Sequence, residues 1–240
     1  MFNPDPQVRA VAITPRQACY VVDDALADPD AWIAHAVVHR GDFVDLPGNA
    51  FPGPELPLPA QAVERVADFF ARQIRARLGG RRTLRCEARL SLTTRQPQEL
   101  QPRQWLCHVD RMDLAPGQLA AAAVLYLFDD PALGGTAFYM PTRPMADTLA
   151  LIQASASMPA QRFAEEYGIA PGYMTASSAW FRKVGSIPAR RNRMIFYSGT
   201  VLHSGEILHP ERLDPDPRRG RLTLNAFFTC TRAAVSDTPA

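Results

Sequence analysis

Lysine is almost missing from this chain: Lys183 is the only one in 240 residues, and arginine supplies the rest of the basic charge. The 26 basic residues are nearly cancelled by 24 acidic ones, for a net charge of +2. The densest basic runs, Arg81-Arg82, Arg190-Arg191 and 218–221, are short, so nucleic acid is not an implied partner. Cysteine is sparse too: Cys19, Cys86, Cys107 and Cys230 are widely scattered, with neither CxxC spacing nor the density of a secreted scaffold. Reduced thiols are expected. Long apolar runs are lacking as well. The longest, Leu119 to Phe128, is about half of the roughly 20 residues a bilayer span requires. The opening MFNPDPQVRA has no basic stretch followed by an apolar one, so a cytoplasmic protein with no membrane partner is expected. With 47% hydrophobic and 21% charged residues, disorder, collagen and coiled coil are excluded.

What is present falls into two textures. Two short strand-like runs, VRAVAI (8–13) and CYVV (19–22), precede a helix announced by Asp28 as N-cap, Pro29 at its first position and Gly41 past its end. Its apolar face is Trp32, Ile33, Ala36 and Val37. A loop dense in proline and glycine (46–59) leads to a second helix, in which Val63, Val66, Phe70, Ile74 and Leu78 recur at helical spacing up to Gly79-Gly80. From about residue 84 short strand-like runs take over: LRCEARLSL, QWLCHVD, AAAVLYLF, GTAFYM, RMIFYSG, VLHSG and RLTLNAFFTC. Such a series predicts a sandwich or barrel. It is interrupted at 143–180 by helical segments, TLALIQA and PAQRFAEEYG, read as an elaboration of the barrel mouth.

Chemistry concentrates in the second half. On a strand, His108 and Asp110 of CHVD point to one face, about 6–7 Å apart at their backbones, so one metal ion is able to touch both. A bare HxD pattern also describes a buried histidine paired with a carboxylate. His203, in VLHSG, is the third ligand candidate. Two histidines and one carboxylate form the facial triad of non-haem Fe(II), which leaves positions open for a chelating cosubstrate and dioxygen. Eighteen residues on, strand alternation puts Arg221, Thr223, Asn225 and Phe227 on one face. An inward-pointing arginine needs an anion, and its planar fork suits the distal carboxylate of a small dicarboxylate; an internal salt bridge is the alternative. His35 and His39 have i, i+4 spacing without the glutamate of HExxH, and His209 precedes a proline; all three read as structural or surface residues. Cys107 alternates away from the ligand face and reads as core, Met112, Trp105 and Trp180 as packing or mouth residues, and 190–193 as a solvated loop.

The succession CHVD, LYLFDD, GGTAFY, NRMIFYSGTVLHSG and RLTLNAFF, over roughly residues 84–232, resembles the motif order of the 2-oxoglutarate and Fe(II)-dependent dioxygenases, particularly their prolyl-hydroxylase-like branch. Bacterial members of that fold are more similar than the collagen or oxygen-sensing hydroxylases. The resemblance implies an α+β, mainly β fold: a double-stranded β-helix of jelly-roll or cupin-like type with N-terminal packing helices. It makes His108, Asp110 and His203 the catalytic iron ligands and Arg221 the partner of the 2-oxoglutarate C5 carboxylate. It assigns Tyr126 as a hydroxyl donor to the same carboxylate, with Thr223 and Asn225 beside it. Asn225 stands where relatives often carry serine or threonine, and it too is able to hydrogen-bond to the cosubstrate. Gly134-Gly135-Thr136 matches a structural turn into the next strand. Related halogenases replace the carboxylate ligand with a small residue, so Asp110 favours hydroxylation.

The expected layout is residues 1–83 as packing strands and helices, 84–232 as catalytic core with the insert, and 233–240 as a disordered tail. The expected activity is a cytoplasmic hydroxylase that uses 2-oxoglutarate and dioxygen on a peptide, amino acid or small molecule, releasing succinate and CO2. Two rivals stand beside it. One is a cupin-like or zinc enzyme not using 2-oxoglutarate, for which Glu206 is the nearest candidate base. The other is a retired barrel that binds a ligand without turnover.

Overall fold

Ten strands among the described residues frame the molecule, the central ones buried on both faces, and a computed structural model describes residues 1–45, 50–110 and 113–233. Part of the 46–59 loop (46–49), Met112 and the tail from 234 lie outside the described residues. The elements, in order, are β1 (Val8–Thr14), β2 (Gln17–Val22), α1 (Asp30–Val38), β3 (Glu55–Pro57), α2 (Ala60–Gln73), β4 (Gly80–Thr93) and β5 (Gln118–Tyr126). There follow β6 (Thr136–Pro141), α3 (Met145–Ser157), α4 (Ala160–Tyr167), β7 (Phe181–Ile187), β8 (Met194–Ser198), β9 (Leu202–Gly205) and β10 (Arg221–Arg232).

The strands form two antiparallel sheets, a larger one in the order β1-β2-β8-β5-β10-β4-β3 and a smaller one in the order β7-β6-β9. The mainly β expectation holds: among the described residues there are two antiparallel sheets, which do not close into a single hydrogen-bonded barrel, and four helices. Ladder hydrogen bonding stops at the edges of each sheet, so side-chain packing rather than a continuous ladder joins them.

Alternation along the central strand β10 shows how each face is used. Leu222, Leu224, Ala226 and Phe228 point to one side, into a core closed by the helices, where Phe70 of α2 stacks on Phe228 at 3.8 Å. The first helix begins at Asp30 with Pro29 at its cap position, one residue later than expected, and Asp28 just outside it accepts from the Ala31 N–H at 3.1 Å. Between the sheets lies a second core of Ile13, Cys19, Val21, Phe138, Ile195 and Tyr197, among others. A third, holding Leu151 of α3 and Phe163 of α4 against Ala137, Tyr139 and Phe181, covers the outer face of the smaller sheet. Helices α3 and α4 therefore pack behind the sheet, and the loop after them carries Tyr173 to the cavity described below.

Two strands carry little sequence signal. β3 is a three-residue edge inside a proline-rich stretch, and β7 reads FRKVGSI, whose glycine and charges obscure the alternation. Conversely, QWLCHVD is not a strand. Pro97 and Pro102 open short 3-10 turns in place of a ladder, and only His108 makes a bridge, to His203.

Candidate active site

A cavity of about 340 Å3 opens between the sheets, lined by β4, β5, β9 and β10 and by the segment around His108. That segment is clamped by backbone bonds alone. The His108 and His203 N–H groups each donate to the other's carbonyl at 2.9 Å, and the Asp110 N–H donates to the Gly199 carbonyl at 2.9 Å. The result is what alternation on a strand predicts, although the segment lies outside both sheets.

His108, Asp110 and His203 converge, each offering one ligand atom, and these atoms all lie within 4.8 Å of one another. Among the described residues no other such group of three forms. His203 Nε2 is 3.5 Å from Asp110 Oδ1, and the two imidazole rings are 4.5 Å apart. His203 Nδ1 lies 2.9 Å from the Val201 carbonyl, an arrangement that leaves Nε2 facing Asp110 as a lone-pair donor. Asp110 Oδ2 is buried without a hydrogen-bond partner. Burial, then the neighbouring His203, pushes His108 down to about 4 against the opposing pull of Asp110. For Asp110, burial works upward but is outweighed by His203, His108 and Arg89, so its carboxyl sits below the ordinary range. His203 has the reverse balance: burial works downward, and the Asp110 carboxylate and Val201 carbonyl lift it above the ordinary histidine value.

Arg221 is 4% exposed and spends its donors on neutral oxygens. Nε donates to the Leu133 carbonyl at 2.9 Å and the Gly134 carbonyl at 3.3 Å, Nη2 to Gly135 at 3.0 Å, and Nη1 to Thr93 Oγ1 at 3.4 Å. No carboxylate pairs with it among the described residues, so the internal salt bridge considered above is absent. The Gly134-Gly135 turn makes this cradle possible. Gly134 has φ +79°, and a Cβ there would lie 1.9 Å from the Glu206 carbonyl oxygen.

Thr223 and Asn225 line the cavity beside Arg221, as their alternation predicts. Tyr126 does not line it; its hydroxyl lies 2.8 Å from Thr136 Oγ1, and Thr136 is the residue facing the cavity. Cys107 and Trp105 belong to the outer core, and Trp180 packs against it. The 190–193 run is not simply solvated, since Arg190, Arg191 and Arg193 pair with Asp23, Asp24, Asp30 and Asp129. His39 pairs with Asp42 and His209 with Glu211 at the surface. Three cavity features escaped the sequence reading: Tyr173, Tyr197 and the Glu55–Arg89 pair at 3.0 Å. Tyr197 shares the inward face of β8 with Ile195, so alternation was its available signal; Glu55 and Tyr173 sit in loop-like sequence and had none.

Fold and site together define a class: two packed antiparallel sheets with a cavity between them that holds a His-Asp-His cluster and a buried arginine. The same fold occurs in the non-heme alpha ketoglutarate dependent carbocyclase SnoK from nogalamycin biosynthesis, with 15% identity, coverage of 92% of this chain and 85% of that one, and a TM-score of 0.51. HygX from Streptomyces hygroscopicus, with nickel and 2-oxoglutarate bound, is similar at 13% identity, 89% and 82% coverage and a TM-score of 0.47. A prolyl-4-hydroxylase from Pseudomonas putida is similar at 14% identity, 91% and 94% coverage and a TM-score of 0.44. The fold assignment rests on SnoK. No curated protein matches the sequence. Over residues 4–228 the chain matches DUF6445, a family of unknown function, and it belongs to that family. No helix among the described residues is long and apolar enough to cross a membrane.

Proposed function

We propose that this protein is an Fe(II)- and 2-oxoglutarate-dependent dioxygenase that hydroxylates a peptide, amino acid or small molecule. The observation that carries the reading is a buried two-histidine, one-carboxylate cluster sharing a cavity with a buried arginine that lacks an acidic partner. The donor set fits the metal. Two imidazole nitrogens and a carboxylate suit Fe(II), and the unpartnered Asp110 Oδ2 is the kind of buried atom a cation would compensate. His108, Asp110 and His203 would hold the ion, and Arg221, Thr223 and Asn225 would receive the cosubstrate. In this reading the two sheets are the halves of a double-stranded β-helix, with 84–232 as catalytic core, 143–180 as its insert and 1–83 packing against it.

Bound iron with 2-oxoglutarate supplies the oxygen activation and the oxidative decarboxylation to succinate and CO2 that drive substrate oxidation. The chain's own part is orientation. The carbonyl cradle leaves the guanidinium charge uncompensated, so a carboxylate at this end of the cavity gains a charge-assisted partner in a dry setting. The Val201 carbonyl fixes the His203 ring, and the backbone pairing of residues 108–110 with 199–203 sets the spacing of all three ligands.

Glu206, the base a zinc hydrolase would need, is engaged by Lys183 Nζ, which favours the oxygenase. The test is an anaerobic absorption titration of the metal-free protein with Fe(II) and then 2-oxoglutarate. The weak visible band of a chelated keto acid is expected. Iron binding without the band would favour the cupin-like rival, and no iron binding would favour zinc or a retired site.

A further inference from the structure

Beyond the triad and Arg221, the cavity wall carries four charged side chains: Glu55 on β3 and Arg85, Glu87 and Arg89 on β4. Cys86, Ala88 and Leu90 belong to or pack against the helix-side core, so strand alternation puts the three charged β4 residues on the cavity face. Glu55, 5% exposed, is the buried anchor. Its Oε2 accepts from Arg89 Nη1 and its Oε1 from Ser91 Oγ, both at 3.0 Å, as the pairing of Glu55 with Ser91 across β3 and β4 allows. The Arg89 guanidinium also lies over the Phe227 ring of β10, 4.9 Å from its centroid. Held from two sides, and with 28% of its side chain still exposed, this arginine keeps its remaining donors available to the cavity.

Beside it, Glu87 engages Arg85 through Oε1, while its Oε2 stops 3.8 Å from Arg89 Nη2, too far for a hydrogen bond. A donor and an acceptor therefore stand side by side on the wall, each held by another partner. Two arginines and two glutamates balance here, so the wall favours neither an anion nor a cation alone. A group with both charges on neighbouring atoms fits: its carboxylate accepts from Arg89 Nη2 and its ammonium donates to Glu87 Oε2. Across the sheet, Glu87 pairs with Phe227, Phe227 with Ala122 and Ala122 with Tyr197, whose ring lies 4.7 Å from the His203 ring. Three strand spacings of about 4.8 Å thus separate this charge pair from the triad end of the cavity.

Resting on the reading of the cavity as a metal and 2-oxo acid site, we infer that the substrate is a free α-amino acid. Arg89 and Glu87 bind its zwitterionic head group, and its side chain extends over Phe227 toward the triad. Glu55 is a positioning residue for Arg89. A residue inside a peptide has neither head-group charge and is disfavoured.

Calorimetry on the anaerobic protein loaded with Fe(II) and 2-oxoglutarate tests this with the common L-amino acids added singly, then with the N-acetyl and C-amide forms of the tightest binder. At least one amino acid should bind and shift the visible keto-acid band, and each cap should weaken it about tenfold or more, as loss of a charge-assisted hydrogen bond does. Glu87→Gln should weaken the free amino acid by a similar factor yet leave the N-acetyl form unchanged, because cap and substitution remove the same contact. Arg89→Gln should give the matching pattern with the C-amide form; Glu87, 42% exposed, supplies the answer should the Arg89 variant fold poorly. Charge pairs with only a structural role would lower the melting temperature of these variants and leave amino-acid binding as in wild type, which overturns the inference. A wild type that binds 2-oxoglutarate but no free amino acid overturns it too, as does one that binds a doubly capped form as tightly as the free one. A wild type that binds no 2-oxoglutarate brings down the functional reading instead, and amino-acid titration of the metal-free protein then decides the head-group site by itself.

Discussion

Arg221 illustrates how a single residue exposes a function through its surroundings. A buried guanidinium would ordinarily be neutralised by a carboxylate, because an isolated internal charge is costly. Here backbone carbonyls and a threonine orient it while leaving its charge intact. Arg221→Ala is expected to weaken 2-oxoglutarate binding by about a hundredfold or more, two or more charge-assisted bonds being lost, while Fe(II) still binds. Equilibrium binding of each ligand in turn checks this, and normal 2-oxoglutarate affinity would remove the arginine from the cosubstrate site. His108→Ala should have the opposite profile: loss of stoichiometric iron in metal analysis with the circular dichroism spectrum retained. Both residues were legible in the sequence because period-two spacing groups them with Asp110 or with Thr223 and Asn225. Tyr197 was not, since an aromatic inside FYSG reads as core until the cavity in front of it is seen.

The elements show where local pattern suffices. Helix α2 is amphipathic, and its buried Val66 and Phe70 fall where helical periodicity puts them; Phe69, also buried, lies off that stripe and meets Phe2 and Phe196. Because Phe70 stacks on Phe228 of β10, the strand that also carries Arg221, Phe70→Ala should cost about 3–5 kcal/mol in chemical denaturation. A loss below about 1 kcal/mol would mean that the helix layer contributes little to the sheet. The 134–135 turn is a second point of control. Alanine at Gly134 would clash with the Glu206 carbonyl at a positive φ, so Gly134→Ala should lower the melting temperature and weaken 2-oxoglutarate binding together, as the cradle of Arg221 shifts. β3 and β7 escaped notice because a short edge and a glycine-bearing, charged strand are held by their neighbours rather than by propensity.

Across the whole molecule, three apolar layers enclose the two sheets, and the cysteines are distributed through or against them. Burial pushes the Cys19 and Cys86 thiols up to about 12, and Cys107 and Cys230 are raised by the same cause. At neutral pH the thiolate fraction is then negligible, so an alkylating reagent should label none of the four appreciably until denaturant unfolds the chain. Mass spectrometry before and after denaturation checks this, and rapid labelling of a single cysteine in the native protein would show that its layer opens.

By itself the sequence determined the mainly β composition, the two N-terminal helices and the residue types able to meet at a metal, since each follows from spacing within a few neighbouring residues. Only the tertiary structure decided that two sheets form without closing into one barrel, that α3 and α4 lie behind the smaller sheet, and that Tyr126 stands behind the cavity wall while Tyr197 lines it. Those outcomes depend on which distant strands adjoin, and contacts between residues far apart along the chain leave no periodic trace in either segment alone.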